Sequence, residues 1–269
     1  MYLSNLTQKT CVTDAAEHWL RNSGRCNGIL YWQLNDNWPV NSWSSIDYTG
    51  KFKALQYGIR HSYAPVSVSL ENNKSLVDVY LINHTLEDKQ VTLKCGLVTF
   101  SGETKYFEES EITLEKTSVT KIKTHNCAHY ASKGLKDCVF YAYIVENGKE
   151  INKKTVLFTK DRKLKLEEGA VSYTVEKNGN KTVIKLKARS FARSVQLDYA
   201  GTAPFSDNYF DLLPNEEKVV EIADSIDDLQ VKSLADVPFD KSVIKRLSMQ
   251  LSIILDVKIF AMAIAYLFV

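Results

Sequence analysis

The stretch that decides the fold is Gly28-Ile29-Leu30-Tyr31-Trp32-Gln33-Leu34-Asn35-Asp36-Asn37-Trp38-Pro39-Val40. Its first seven residues form a nearly continuous apolar run, the pattern of a parallel strand buried on both faces. An irregular stretch rich in Asn, Asp, Ser and Trp follows, through Gly50. Upstream, Leu3, Leu6, Thr10, Cys11, Ala15, His18 and Trp19 recur at three- and four-residue steps. That spacing predicts an amphipathic helix over residues 4–22, stopped by Gly24. Downstream, Phe52, Leu55, Ile59 and Tyr63 share one helical face, and Pro65 ends that helix. A single helix–strand–helix unit cannot cover a parallel strand on both sides. Residues 1–64 therefore read as the last piece of a larger α/β domain.

Composition changes after that point. All four tryptophans lie within the first 43 residues, and no proline falls between Pro65 and Pro204. The runs 75–82, 90–100, 118–123, 138–145 and 155–158 are rich in Val, Ile, Thr, Tyr and Phe, which predicts strands. Val171, Tyr173 and Val175 alternate with polar residues, and further runs lie at 182–188, 194–199 and 218–222. Asn147-Gly148 and Asn178-Gly179 are hairpin signals. The expected architecture is an α/β remnant followed by an all-β part. Its β part consists of two immunoglobulin-like sandwiches, at 65–162 and 163–236. The lysines at 153, 154, 160, 163 and 165 read as solvated edge strands and a linker rather than as a polyanion site. The tail, 237–269, fits neither part. Its apolar stretch from Leu247 would just span a bilayer. Asp256 and Lys258 near the middle would each cost about 2.5–3.5 kcal/mol there. A membrane anchor is not the expectation; a packed helix or a wrongly predicted final exon is.

At 269 residues, with 45% apolar, 25% charged and 11% aromatic residues, the chain has globular composition. Its 34 basic and 32 acidic residues leave a net charge of +2, which argues against a nucleic-acid partner. The five cysteines, an odd number in a long chain, do not form a disulfide scaffold pattern. Four Asn-x-Ser/Thr triplets, at Asn5, Asn73, Asn83 and Asn180, are candidate glycosylation sites. Met1–Asn5 lacks the charged and apolar regions of a signal peptide.

If Gly28–Leu34 is a barrel strand, Asn35 and Asp36 emerge at its C-terminal end, where (β/α)8 barrels carry their active sites. An indole offers a flat apolar face to the C–H groups of a sugar, and Asn and Asp offer directional hydrogen bonds to hydroxyls. Equally, Trp32 and Trp38 could be core aromatics, with Asp36 forming a turn before Pro39.

The run 28–40, with Ser42-Trp43-Ser44-Ser45-Ile46-Asp47-Tyr48 and Lys53-Ala54-Leu55, resembles the final barrel strand and helix of β-mannosidases, in glycoside hydrolase family 2. Glu17-His18-Trp19 resembles their preceding helix. Pro204-Phe205-Ser206-Asp207-Asn208-Tyr209-Phe210 is similar to a motif in the last immunoglobulin-like domain of the animal lysosomal enzymes. The resemblance runs from about residue 2 to 235 and stops before the tail. It implies an exo-acting, retaining β-mannosidase, whose chemistry needs two carboxyl groups about 5–5.5 Å apart. In the family both are glutamates on earlier barrel strands, and no matching motif occurs here. No catalytic residue is therefore carried over, and the chain alone is expected to be inactive. Trp32 matches the tryptophan that floors the terminal-sugar subsite, and Asn35 and Asp36 match its neighbours. The expected partner is an oligosaccharide, met through the full-length enzyme.

A lysosomal or secreted location, which the resemblance implies, makes Cys127 and Cys138 plausible disulfide partners. A metal site involving His125, Cys127 and His129, or free thiols, are the rival readings. The histidine–cysteine spacing matches no common zinc pattern. No cofactor or metal is expected. Two further functions stay open: another exo-β-glycosidase of the same family, such as an exo-β-glucosaminidase, or a non-catalytic β-sandwich module that binds glycans or proteins.

Overall fold

The computed structural model describes residues 1–26, 28–131 and 134–238. Nearly all of the apolar tail therefore lies outside the described residues. Two helices open the chain, α1 (Tyr2–Arg21) and α2 (Ala54–Ser62). They cross closely, because a Cβ on Gly58 would lie 2.8 Å from the Lys9 side chain and 2.9 Å from that of Thr13. Ala16, Leu55 and Ile59 form their shared apolar core, with Val12, Ile29 and Tyr31 packed against it.

The run Gly28–Leu34, expected as a strand, lies outside every sheet. Among the described residues no strand runs beside it, and a single parallel bridge, Asn35 to Ile46, forms just past its end. Instead Ser45 N–H donates to the carbonyls of Gln33 and Leu34 at 3.1 Å each, and Ile46 N–H donates to Leu34 at 2.9 Å. Leu30, read as buried, is 96% exposed.

Thirteen strands follow among the described residues, all in antiparallel sheets. β1 (Val66–Asn73), β2 (Leu76–Asn83) and β5 (Ser118–Asn126) form one sheet in the order β1-β2-β5. Facing it are β3 (Lys89–Thr99), β4 (Thr104–Leu114), β6 (Cys138–Glu146) and β7 (Lys149–Leu157), ordered β4-β3-β6-β7. Between the two sheets, Val68, Val79, Leu81, Leu93, Phe140 and Ile144 are fully enclosed. The β6–β7 hairpin turns at Asn147 and Gly148, with φ of 51° and 75°. Positive φ at both positions is what a two-residue hairpin of this hand requires.

The second sandwich is smaller. β8 (Val171–Asn178), β9 (Lys181–Ala188) and β12 (Glu217–Ile222) make one sheet, ordered β12-β9-β8. β10 (Ala192–Asp198), β11 (Phe210–Leu212) and β13 (Gln230–Lys232) make the other, ordered β11-β10-β13. Ile184, Leu186, Val195, Leu197 and Leu212 fill its core. An apolar joint connects the sandwiches, where Phe100 and Phe191 stack at 5.2 Å and the Phe191 N–H donates to the Phe100 carbonyl at 2.9 Å. The fold is a helix remnant followed by all-β, immunoglobulin-like sandwiches.

Candidate functional site

The segment between α1 and α2 is tied together from within. Asp36 N–H donates to Ile46 O at 3.1 Å, and Lys53 N–H donates to Ser45 O at 2.9 Å. Tyr31 and Ser45 hydroxyls are 2.9 Å apart, and Ser45 also donates to Gln56 at 2.7 Å. α1 reaches the loop through Gln8, whose amide donates to the Trp43 carbonyl at 2.6 Å. The loop thus has a fixed shape with few apolar residues inside it, and its large aromatics face outward. Trp32, Trp38 and Trp43 are 74%, 63% and 67% exposed. The alternative that Trp32 and Trp38 are core residues is thereby corrected.

Asn35 turns its amide back onto the loop, donating to the Asp36 carbonyl at 3.2 Å. Asp36 is buried. Its carboxylate accepts from Ser42 at 2.5 Å, Ser44 at 2.6 Å, Lys53 at 3.1 Å and Gln33 at 3.2 Å. The two serine hydroxyls, and then Lys53, hold it well below the usual carboxylate range. Asp47, the other acid of the loop, accepts from Thr49 N–H at 2.8 Å, the Thr49 hydroxyl at 2.6 Å and Lys51 N–H at 3.0 Å. Both acids are occupied by the loop's own donors.

A second polar cluster was not legible in the sequence. A cavity of about 330 Å³ lies where α1 and α2 meet both sandwiches. Glu17 of α1 accepts from Lys154 at 2.6 Å, from Ser62 of α2 at 2.9 Å and from Ser69 of β1 at 3.3 Å. Asp207 accepts from His61 at 2.9 Å and pairs with Lys218 at 2.8 Å. Burial alone would raise Asp207, but His61 and Lys218 hold it well below the normal range. Asp211 pairs with Arg193 at 3.1 Å and also takes the Ser194 N–H at 2.8 Å. Lys9 donates to the Tyr209 carbonyl, and burial brings its ammonium down to about 8 against the pull of Asp211. Burial pushes Asp14 and Glu150 upward. Lys153 and Lys154, expected on a solvated edge, instead pair inward with Glu216 and Glu17. The expectation failed because their partners lie far away in the chain, 63 and 137 residues off.

Cys127 and Cys138 are both buried in the core of the first sandwich, as thiols. Burial pushes Cys127 up to about 12, with the neighbouring Cys138 adding to it, and Cys138 up to about 11. His125 is buried between the rings of Tyr106 and Phe140, at 5.5 and 5.1 Å, whereas His129 faces solvent. No three His, Cys, Asp or Glu side chains come together as a metal site among the described residues. Of the glycosylation triplets, Asn73 and Asn180 are exposed at hairpin turns, and Asn5 is half-buried on α1. Asn83 is corrected. It is fully buried, and its amide nitrogen donates to the Glu87 and Glu115 carbonyls at 2.9 and 3.0 Å, which leaves no access for a glycan. No helix among the described residues is long and apolar enough to cross a membrane.

Residues 75–163 match a mannosidase Ig/CBM-like domain, and residues 164–237 match the Ig-fold domain of mannosidases. The β-mannosidase of Bos taurus is 30% identical over 227 residues, covering 78% of this chain and 26% of the relative. The β-mannosidase A of Neosartorya fischeri is 29% identical over 245 residues, covering 82% of the chain and 26% of the relative. The chain thus spans about a quarter of the length of these curated relatives. Among solved structures, a β-D-mannosidase from Dictyoglomus thermophilum superposes with a TM-score of 0.77 at 25% identity, over 87% of this chain and 29% of that one. An exo-chitosanase from Amycolatopsis orientalis shares the fold, with a TM-score of 0.65 at 16% identity, over 86% of this chain and 33% of its own.

Proposed function

Because the chain belongs with the C-terminal part of the β-mannosidases of glycoside hydrolase family 2, we propose that it supplies one wall of the terminal-sugar subsite of an exo-acting, retaining β-mannosidase. Trp32 supplies the exposed ring on which the pyranose stacks, and Asn35 and the buried Asp36 belong to the loop that carries it. The observation that carries this reading is the exposure of Trp32, Trp38 and Trp43 on one loop whose backbone is hydrogen-bonded to itself. In a soluble fold such a surface marks a ligand or partner site. The carboxyl pair that the displacement needs comes from elsewhere in the enzyme, since Asp36 is saturated by loop donors and Asp47 is held in a turn by three donors on one oxygen. The 269-residue chain alone therefore hydrolyses no glycoside.

The enzyme works in the lysosome or outside the cell. Exposed triplets at Asn73 and Asn180 suit glycosylation, and in that oxidising setting Cys127 and Cys138, neighbours in one core, pair. Residues 1–64, 65–162 and 163–236 are the corresponding domain pieces. The test is hydrolysis of aryl β-D-mannoside and aryl β-D-glucosaminide. The chain alone should be silent on both. Expressed with the reading frame upstream of it, it should cleave the mannoside, and Trp32→Ala should lower kcat/KM on the order of 10²-fold. Turnover by the chain alone would overturn the reading. A preference for the glucosaminide would move the specificity to the exo-β-glucosaminidases.

A further inference from the structure

One of the two carboxylates in the aromatic loop is buried. The Asp36 side chain is 1% exposed, and its carboxylate accepts four donors. An ionised carboxylate offers about four lone-pair sites, so none remains for a sugar hydroxyl. The donors come from separate parts of the loop. Gln33 directly follows Trp32, Ser42 and Ser44 flank Trp43, and Lys53 immediately precedes α2. Lys53 also donates to Ser44 at 2.6 Å, and Ser42 accepts the Ser44 N–H at 3.1 Å, which closes the ring of partners.

We propose that Asp36 is a positioning residue, which sets the orientation of the Trp32 and Trp43 rings by gathering Gln33, Ser42, Ser44 and Lys53 around one buried carboxylate, without touching the sugar. This rests on the reading of Trp32 as the subsite surface, but its first consequence needs no sugar. Asp36 lies at the centre of the loop, and the polypeptide on either side carries the tryptophans. Loss of its charge leaves the Lys53 ammonium beside the Ser44 hydroxyl with no anion. Asn at this position keeps the volume and one acceptor, but its amide group points donors at donors.

The experiment uses the whole chain in four forms: wild type, Asp36→Asn, Asp36→Asn with Lys53→Met, and Ser42→Ala with Ser44→Ala. Limited proteolysis within residues 35–51 and acrylamide quenching of tryptophan emission report loop order. Thermal unfolding of the β part reports global folding. A titration with methyl β-D-mannoside, read at the Trp32 indole N–H by NMR, reports the subsite. Asp36→Asn should raise loop cleavage about tenfold or more, raise quenching and weaken mannoside binding, with the sandwich transition unmoved. The Lys53→Met partner change should recover much of the loop order, because it removes the unpaired ammonium. The serine pair should lie between wild type and Asp36→Asn. Wild-type cleavage and binding in Asp36→Asn would overturn the proposal. So would an Asp36→Asn loss that arrives only with global unfolding, if the serine pair, folded, keeps wild-type loop order. A Trp32→Ala control separates the two readings. If it leaves mannoside binding intact the subsite reading fails, whereas the proteolysis result still decides whether Asp36 orders the loop.

Discussion

The two polar centres of the molecule are built alike and serve opposite ends. Around the cavity between the helices and the sandwiches, Glu17, Asp207 and Asp211 each collect several donors from different elements. Around Asp36 an equally saturated carboxylate holds a loop whose outer face is open and aromatic. In the first centre Glu17, Asp207 and Asp211 meet cations and hydroxyls of the protein itself. The second fixes a frame and leaves the frame's surface unpartnered. A saturated buried network argues for structure, whereas a rigid loop that exposes large apolar rings argues for a missing contact.

The sharpest way to break this contrast is to remove an anion from the first centre. Asp211→Ala leaves the half-buried Arg193 guanidinium with Asp161, at 3.0 Å, as its remaining carboxylate, and strips the Ser194 N–H and the Thr155 hydroxyl of their acceptor. Removing one partner of a buried pair costs about 3–5 kcal/mol. Urea unfolding should show that loss. A change below about 1 kcal/mol would mean that water already serves these groups.

How far each region could be read from sequence follows the same division. The helices and most strands were legible, because apolar spacing and the Asn147-Gly148 turn are local signals. β4 was missed because Glu108, Glu109 and Glu111 mask its alternation; it is an edge strand, where charge is protective. Gly28–Leu34 was misread because apolar content reports what a residue could bury, while the strands that would bury it are not among the described residues. Trp32 and Trp38 stood out through composition and family likeness, and their exposure removes the rival reading of core aromatics. The first centre escaped notice altogether. Its acids and bases are brought together only by the docking of helices onto sandwiches, as with Lys9 and Tyr209, 200 residues apart.

Lys9 offers a subtler probe of the same centre. Its folded pKa, lowered by burial to about 8, lies below the unfolded value of 10.5. Between those values the unfolded chain holds more protons, so this group makes stability rise with pH. Below about pH 8 its burial penalty is fully present, and it fades as the ammonium deprotonates. Other groups titrate in the same range, so the informative quantity is the difference in unfolding free energy between wild type and Lys9→Met. That difference should move in favour of wild type from pH 8 to 10.5 and stay flat from pH 6 to 7.5. A flat difference throughout would show that the ammonium is already well hydrated in the cavity.

The smallest effect on stability, and the most telling for the comparison, is expected at the open face. Trp38→Ala and Trp43→Ala remove large rings that pack little against the folded chain, so each should change unfolding free energy by no more than about 0.5 kcal/mol. The same rings, with Leu30 and Trp32, are large apolar side chains left to water on one segment. The isolated chain should therefore self-associate, and the paired substitution should shift its sedimentation toward monomer while the melting transition stays in place. Stability and association would then separate at one surface, as they must if its aromatic rings are held for a partner rather than for the fold. A loss of several kcal/mol on removing either ring would erase the distinction, because it would make the tryptophans part of the same structural core as the cavity charges.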